Sequence, residues 1–228
     1  MIGIIGAMDS EVDELKKNLS DVKVKLISGI NFYEGSIYNK KIVLAKCGVG
    51  KVFAAICAEA MILNYSIDKI IHIGIAGSLD KSLRVGDVVI ASSVVHHDLD
   101  TTGIGEDRVG MISGLNIVNI PCSKNIVNDL EKCAKKIGVN YKIGVVASGD
   151  QFINNNEAKQ KIINSFDAIA CEMEGASTGQ VCYVNKIDFC VARCFSDSGD
   201  DNANDEYEKQ KIKSSDVATR LIKEYLKC

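Results

Sequence analysis

Residues Asp188–Asp200 read D-F-C-V-A-R-C-F-S-D-S-G-D. The run Phe189, Cys190, Val191, Ala192 is apolar, Arg193 interrupts it, and Ser196-Asp197-Ser198-Gly199-Asp200 ends it abruptly. A short apolar run bounded by turn residues reads as a buried strand. In open α/β sheets, ligands sit beyond the carboxyl ends of the strands. Arg193, Ser196 and Asp197 therefore fall where chemistry is usual. An Arg inside a buried strand needs a partner, because an unpaired buried charge is costly. Taken alone, the stretch fits a reacting site and a solvated acidic loop equally well.

Working outward, other apolar runs end in the same way. Met1–Ala7 reads as a strand that turns at Met8-Asp9-Ser10-Glu11 into a helix, with Val12, Leu15 and Leu19 at helical spacing. Asp9 or Ser10 is expected to cap that helix. Glu11 falls in the first turn, where the helix dipole favours acids whatever their function. Lys69–Ile75 runs into Gly74-Ile75-Ala76-Gly77-Ser78, and Lys142–Ala147 runs into Ser148-Gly149-Asp150-Gln151-Phe152-Ile153. Asp167–Cys171 runs into Glu172-Met173-Glu174 and then a helix reaching Asn185. If these strands share a sheet, their polar ends converge on one pocket. At about 100° per helical residue, Glu172 and Glu174 diverge. One then faces the pocket, and the other is solvated or paired.

Between these runs, Val22–Ile27, Asn31–Tyr38 and Lys41–Lys46 read as three strands joined by tight turns. Cys47-Gly48-Val49-Gly50-Lys51 opens a helix over Val52–Leu63. The stretch is not a phosphate-binding P-loop, because Ala45 stands at the first glycine and Val52 at the hydroxyl. It is not a dinucleotide fingerprint either, because Phe53 stands at the third glycine. The helix carries Glu59 as its only charge, so it belongs in the core or in a subunit interface. Val85–Val95 reads as a strand and His96–Ser113 as a long loop. Lys124–Lys136, Asn156–Asn164 and Glu206–Leu226 read as helices, the last after an acidic loop, Asp200–Asp205. Strands and helices alternate in mixed order, which predicts an α/β fold with a mixed sheet and helices on both faces.

Composition narrows the class. The 228 residues are 46% hydrophobic with a formal charge of −3. That suits one domain, residues 1–228, and argues against nucleic acid or an acidic membrane surface as partner. No apolar run is long enough to span a bilayer, and Met1–Gly6 lacks the basic start of a signal peptide. The 9 cysteines form no C-x-x-C pair, and Cys57, Cys133, Cys171, Cys182 and Cys190, in apolar or helical contexts, are read as reduced core residues of a cytosolic protein. Of the 3 histidines, His96 and His97 adjoin Asp98; they are read as solvated imidazoles at a strand end rather than as metal ligands. No metal or cofactor is expected. A pocket with several carboxylates and one Arg suits acid–base cleavage of a sugar bond.

Four strings carry a resemblance: G-I-I-G-A-M-x-x-E at Gly3–Glu11, S-G-D-x-F-I at Ser148–Ile153, E-M-E at Glu172–Glu174 and R-x-x-S-D at Arg193–Asp197. In order and spacing the chain resembles the 5′-methylthioadenosine/S-adenosylhomocysteine nucleosidases. G-V-G-K-V at Gly48–Val52 and V-G-D at Val85–Asp87 also fit, and the resemblance runs the whole length. It implies a nucleoside phosphorylase-like three-layer α/β/α sandwich with a central mixed sheet. It implies hydrolysis of the N-glycosidic bond of 5′-methylthioadenosine, S-adenosylhomocysteine and related 5′-substituted adenosines to adenine and the thioribose. That activity would serve methionine salvage and the activated-methyl cycle. The resemblance makes Glu11 the base that activates water, and Asp197, held by Ser196, the donor of a proton to adenine N7. Glu174 would bind the ribose hydroxyls, Met173 would pack under the ribose, and Arg193 would order the site. The backbone of Phe152 and Ile153 would read the adenine edge, and Met8 would line the 5′-alkylthio side. Ile75, Ala76, Gly77 and Glu172 complete the expected binding set. A homodimer is implied, with the partner subunit's loop near Thr101–Ile104 closing the 5′ side.

The chemistry is coherent without the resemblance. Adenine leaves poorly as an anion, so a donor with a raised pKa must protonate it. Carboxylates then stabilise the ribosyl cation, and a base on another strand assists water. Two departures from the family stand out. Ile75 occupies a position where a hydroxyl is usual, and His72 lies where Asn is common. A lost neutral hydrogen bond is worth about 0.5–1.5 kcal/mol, which predicts a slower or rearranged site rather than a dead one. Tyr207 is the candidate aromatic over the base. Two rivals share the fold. A purine nucleoside phosphorylase would hold phosphate with arginines, yet the first Arg is Arg84, and Glu11 would repel the anion. A non-catalytic nucleoside-binding protein would be expected to lack Glu11 or Asp197.

Overall fold

The long central strands form from unbroken runs of β-branched and small apolar residues. Lys69–Ser78 carries Ile70, Ile71 and Ile73, all fully buried, and each such side chain contributes about 1.5–3 kcal/mol by leaving water. The computed structural model describes residues 1–228. In chain order its elements are β1 (Ile2–Gly6), α1 (Asp9–Lys17), β2 (Ser20–Ile27), β3 (Ile30–Ile37), β4 (Lys40–Lys46), α2 (Lys51–Asn64), β5 (Lys69–Ser78) and β6 (Val88–His96). Then follow β7 (Ile120–Pro121), α3 (Lys124–Ile137), β8 (Tyr141–Ser148), α4 (Asn156–Phe166), β9 (Ala168–Glu172), α5 (Gly175–Asn185), β10 (Asp188–Asp197) and α6 (Ala203–Lys227). A short 3-10 turn, Thr102–Ile104, interrupts the loop after β6.

The sheet is mixed and sits between two helical layers. β4, β1, β5 and β10 run parallel as neighbours, as do β6, β8 and β9. The two parallel groups join antiparallel at two places. β10 meets β6 through Ala192–Cys194, and β5 meets β9 through Gly77 and Ser78. Strands β5, β10, β6, β8 and β9 thus close into a ring, with β4, β3 and β2 extending beyond β1. The sequence reading did not contain this closure. It follows from the 10-residue length of β5 and of β10, which lets each strand pair with different neighbours along its course. Helices α2 and α5 pack together, as do α1 with α6 and α3 with α6, while α4 covers β8 and β9.

Several expectations change in detail. Neither Asp9 nor Ser10 caps α1. Met8 occupies the cap position, and the Glu11 carboxylate accepts from the Met8 amide, the return half of a capping box. β6 starts at Val88 rather than Val85, and α6 starts at Ala203 rather than Glu206. The imidazoles of His96 and His97 are not solvated: His97 is half-buried with its Nε2 shielded from solvent. His96 is buried and Nε2 lies 3.0 Å from Gln180 Oε1, while His72 is buried with Nδ1 2.8 Å from Thr178 Oγ1. Helix α2 buries Ala54, Cys57, Ala58 and Met61 but leaves Val52, Phe53, Ile56 and Leu63 exposed. All nine cysteines are free, and only Cys228 is exposed.

Candidate active site

Because the two parallel groups meet through the last residues of β5 and β9, their carboxyl ends face one another. A cavity of about 250 Å³ lies there. Segments following β1, β4, β8 and β9 line it, together with the ends of β5 and β10, as the distribution of polar strand ends predicted. Met8, Glu11, Ile75, Ala76, Gly77, Phe152, Ile153, Glu172, Met173, Glu174, Ser196 and Asp197 all line this cavity. Arg193 does not. It is 1% exposed and lies behind the wall, because its side chain turns back onto β9 to reach its carboxylate partners.

Glu11 is buried, and both its oxygens are held by main-chain donors. Oε2 accepts from Ala7 (2.6 Å) and Met8 (2.9 Å), and Oε1 accepts from Ile75 (3.0 Å). Burial pushes its carboxyl above the usual range, and the Arg193 charge and the three amides offset only part of that. Gly74 makes the arrangement possible, since a Cβ there would collide with Glu11 Oε1 and Arg193 Nη1. Arg193 Nη1 is a buried donor without a protein partner.

The E-M-E string does not behave as two helical positions. Glu172 ends β9 and Glu174 is the cap residue of α5. Both therefore line the cavity, correcting the expectation that only one would. Glu172 is the paired one. It receives Arg193 Nε at 3.1 Å and also Nη2, the Ser148 hydroxyl and the Gly175 amide. Glu174 Oε2 is 3.6 Å from Arg193 Nη2, and its Oε1 accepts from the Gly50 amide at 2.9 Å. Burial, together with the neighbouring Glu172, pushes Glu174 up to about 8, against the pull of Arg193 and that amide.

Asp197 sits at the end of β10, 2% exposed. The Ser196 hydroxyl donates to Oδ2 at 2.8 Å and the Gly199 amide to Oδ1 at 2.9 Å. Burial raises its carboxyl despite both bonds. Such an environment suits a proton donor. Ile75 lines the cavity with 8% of its surface exposed. The Phe152 ring meets Tyr207 edge-on at 5.5 Å, and the Tyr207 hydroxyl lies 3.3 Å from Met8 Sδ.

Sequence reasoning missed Ala7, Val49, Gln151 and Cys171 among the lining residues. The signal for Val49 was present: it lies between Gly48 and Gly50, which both adopt positive φ. Cys171 gave none, because strand alternation would turn it away from the side that Glu172 faces. No group of three His, Cys, Asp or Glu side chains is placed to hold a metal ion.

Comparison with known proteins gives the family. A family profile described as the phosphorylase superfamily matches residues 1–227. The 5′-methylthioadenosine/S-adenosylhomocysteine nucleosidase of Staphylococcus carnosus strain TM300 is 37% identical over 231 residues, covering 100% of this chain and 99% of the relative. Among solved structures, the Neisseria meningitidis nucleosidase in complex with methylthio-immucillin-A matches with a TM-score of 0.95 at 30% identity, covering 99% of this chain and 98% of that one. The native futalosine hydrolase of Helicobacter pylori strain 26695 matches with a TM-score of 0.93 at 33% identity, covering 98% and 96%. On these matches, the chain belongs to the 5′-methylthioadenosine/S-adenosylhomocysteine nucleosidase family of the phosphorylase superfamily.

Proposed function

We propose that the cavity hydrolyses the N-glycosidic bond of 5′-methylthioadenosine and S-adenosylhomocysteine, releasing adenine and the thio-substituted ribose. One observation carries this reading. Two buried carboxyls with raised pKa, Glu11 in the first turn of the helix after β1 and Asp197 at the end of β10, meet over the end of β5 in a cavity lined by no Lys or Arg. Glu11 Oε1 is held on the Ile75 amide and Asp197 lies beside Gly77, so the two acids border the same end of β5, and the ribosyl group and the water sit between them.

Asp197 delivers the proton to the leaving adenine, since its burial keeps the proton bound closer to neutrality than in free aspartate. As the glycosidic bond lengthens, the ribosyl group becomes cationic, and the carboxyls around it stabilise that charge. Glu174 takes the ribose hydroxyls, and Met173 packs beneath the ring. Glu11 accepts the proton of the attacking water; its three amide donors fix the oxygens, and burial strengthens it as a base. Arg193 acts from behind, holding Glu172 and Glu174 in place. Ile153 and Phe152 read the base. Met8, Val49 and Tyr207 give the remaining wall an apolar character suited to a thioether. Inorganic phosphate as the nucleophile would have to approach the Glu11 carboxylate without a lining cation. Like charges 4 Å apart repel by about 4 kcal/mol at a surface-like dielectric, so water is the acceptor.

The protomer works as one catalytic domain over residues 1–228 and pairs as a homodimer. The apolar side chains that α2 leaves in solvent, with Tyr183 and Val184 of α5, support that pairing. Ile104, 85% exposed on its loop, then reaches the 5′ side of the partner's cavity. Eight buried free thiols suit the reducing cytosol, and the products suit methionine salvage and the activated-methyl cycle.

The test is adenine release from both substrates, with and without phosphate. The expected result is equal rates and free thioribose. Phosphate-dependent release with a ribose 1-phosphate product would replace this reading with the phosphorylase. Absence of release with retained nucleoside binding would replace it with a binding protein. Light scattering reads the dimer, and Phe53→Asp should yield monomers.

A further inference from the structure

Three sequence features stand outside the chemistry above: Lys51 after the paired glycines, Asp98 after the two histidines, and Asp150 in the S-G-D string. The fold brings them together. Lys51 Nζ donates to Asp98 Oδ1 at 2.6 Å, the Asp150 amide donates to Asp98 Oδ2 at 2.9 Å, and the Lys51 amide donates to Asp150 Oδ1 at 2.8 Å. The ion pair is mostly shielded, with its side chains 21% and 18% exposed. Asp98 therefore uses both oxygens, one on the start of α2 and one on the loop after β8.

Each end of this clasp adjoins a different part of the cavity. On the α2 side, Gly50 has φ +100°, a conformation that favours glycine, and its amide reaches Glu174 Oε1 at 2.9 Å. The Lys51 carbonyl accepts from the Ser177 hydroxyl of α5 at 2.5 Å. On the β8 side, Asp150 leads directly into Gln151, Phe152 and Ile153, which line the cavity. A lysine in the first turn of a helix opposes the helix dipole, and no acid in that turn offsets it. Its position is explained by the Asp98 carboxylate, which lies beyond the helix end. That carboxyl is held below its ordinary value. Burial raises it, but the Lys51 ammonium and the Asp150 amide outweigh burial.

We propose that Asp98 is a positioning residue for the glycosidic reaction, one carboxylate that fixes the Gly50 amide on Glu174 and the Gln151–Ile153 segment against the base. Asp98 touches no reacting atom. It couples the ribose side of the cavity to the base side, and it does so from the first residues of the loop that carries Thr101–Ile104. The proposal rests on the nucleosidase reading, and its test separates the two.

Full-length wild type, Asp98→Ala, Asp98→Asn, Lys51→Met and the Lys51→Met/Asp98→Ala double variant are compared, well below each melting temperature. The readouts are kcat and KM for 5′-methylthioadenosine and the affinity for free adenine. The expected result for Asp98→Ala is a fall in kcat/KM of roughly 10–100-fold, the range for misplacement rather than loss of a reacting group. Adenine binding weakens with it. Asp98→Asn keeps one acceptor oxygen and falls between wild type and Asp98→Ala. The double variant is no worse than the poorer single variant, because residues in one network are not additive. Independent, additive losses overturn the proposal, as does a melting-temperature drop with unchanged KM and adenine affinity. If Asp98→Ala does not fold, Lys51→Met and Asp98→Asn decide by the same criteria. A wild-type protein that cleaves neither thio-substituted adenosine overturns the nucleosidase reading instead. Adenine affinity in the variants still decides the clasp.

Discussion

The junction between β1 and α1 and the junction between β9 and α5 are built alike and behave differently. Each is a strand end that turns into a helix, and each buries a glutamate that takes main-chain amides at the helix entrance, Ala7 and Met8 for Glu11 and Gly175 for Glu172. At the second junction, Glu172 also receives the Arg193 guanidinium in direct contact. At the first, Glu11 has only the field of that guanidinium and no ion in contact. Amide donors alone leave Glu11 up-shifted and able to take a proton. Adding the guanidinium commits Glu172 to the architecture. The difference is one of neighbours, not of residue type or burial.

Swapping the two phenotypes is the strongest way to break that comparison. Glu11→Gln and Asp197→Asn should each lower turnover by about 10²–10⁴-fold, the usual worth of a positioned acid or base. The melting temperature near pH 8 should hold or rise. A carboxyl with a raised folded pKa stabilises the fold below its unfolded pKa and loses that contribution as pH rises through the folded value. Removing the charge removes the loss. Either variant retaining more than about a tenth of wild-type turnover would contradict its assigned role.

Glu172→Gln should do the reverse. Arg193 would keep its charge without its main contact, and breaking a buried pair costs about 3–5 kcal/mol. For a chain of this size that is a fall in melting temperature of roughly 6–20 °C. An unchanged melting temperature with lost turnover would move Glu172 into the same class as Glu11.

Glu174 lies between the two and sharpens the contrast. Its folded pKa rises from 4.5 to about 8, so its stabilisation is complete below pH 4.5 and disappears as pH climbs through 8. Glu174→Gln should flatten melting temperature against pH over that window, with Glu11 and Asp197 supplying the residual slope. Above pH 8, where Glu174 is ionised, the substitution should also weaken riboside binding by about 1.5–3 kcal/mol, the range for a charged hydrogen bond, without changing the affinity for free adenine. Equal loss for adenine and riboside would make Glu174 structural.

The smallest effect concerns Ile75. Ile75→Ser should leave turnover unchanged or raise it by up to about tenfold, since about 1.4 kcal/mol in the transition state corresponds to that factor. Because Ile75 lines the cavity, the melting temperature should barely move. A clear drop with turnover of the folded fraction unchanged would show instead that Ile75 fills the core.

The strand ends were legible because each is a short apolar run stopped by Gly, Ser or Asp, and such stops need only local chemistry. Ser196 and Asp197 are placed on that basis, whereas Glu11 reads locally as an acid favoured by the helix dipole and takes its role from the resemblance. What failed to read depends on long-range pairing. Helical spacing fails for the E-M-E string because Glu172 still belongs to β9, where alternate residues share a face. Arg193 was expected at the cavity and lies behind it, since only the position of β9 decides where its guanidinium turns. The closure of β10 onto β6 has no local signature, and Cys171 reaches the cavity only because of the neighbouring β5–β9 junction.

The distribution of thiols has a practical consequence. With eight sulfurs buried and Cys228 alone exposed, a bulky maleimide meets a single attachment point in the folded protein. That point follows α6, whose Tyr225 hydroxyl lies 3.4 Å from Lys69 Nζ at the start of β5. The cavity lies toward the other end of the same strand, at Ile75–Gly77, roughly 20–26 Å away at about 3.3 Å per residue. A fluorophore or tether fixed there would immobilise or report on the molecule without obstructing the nucleoside.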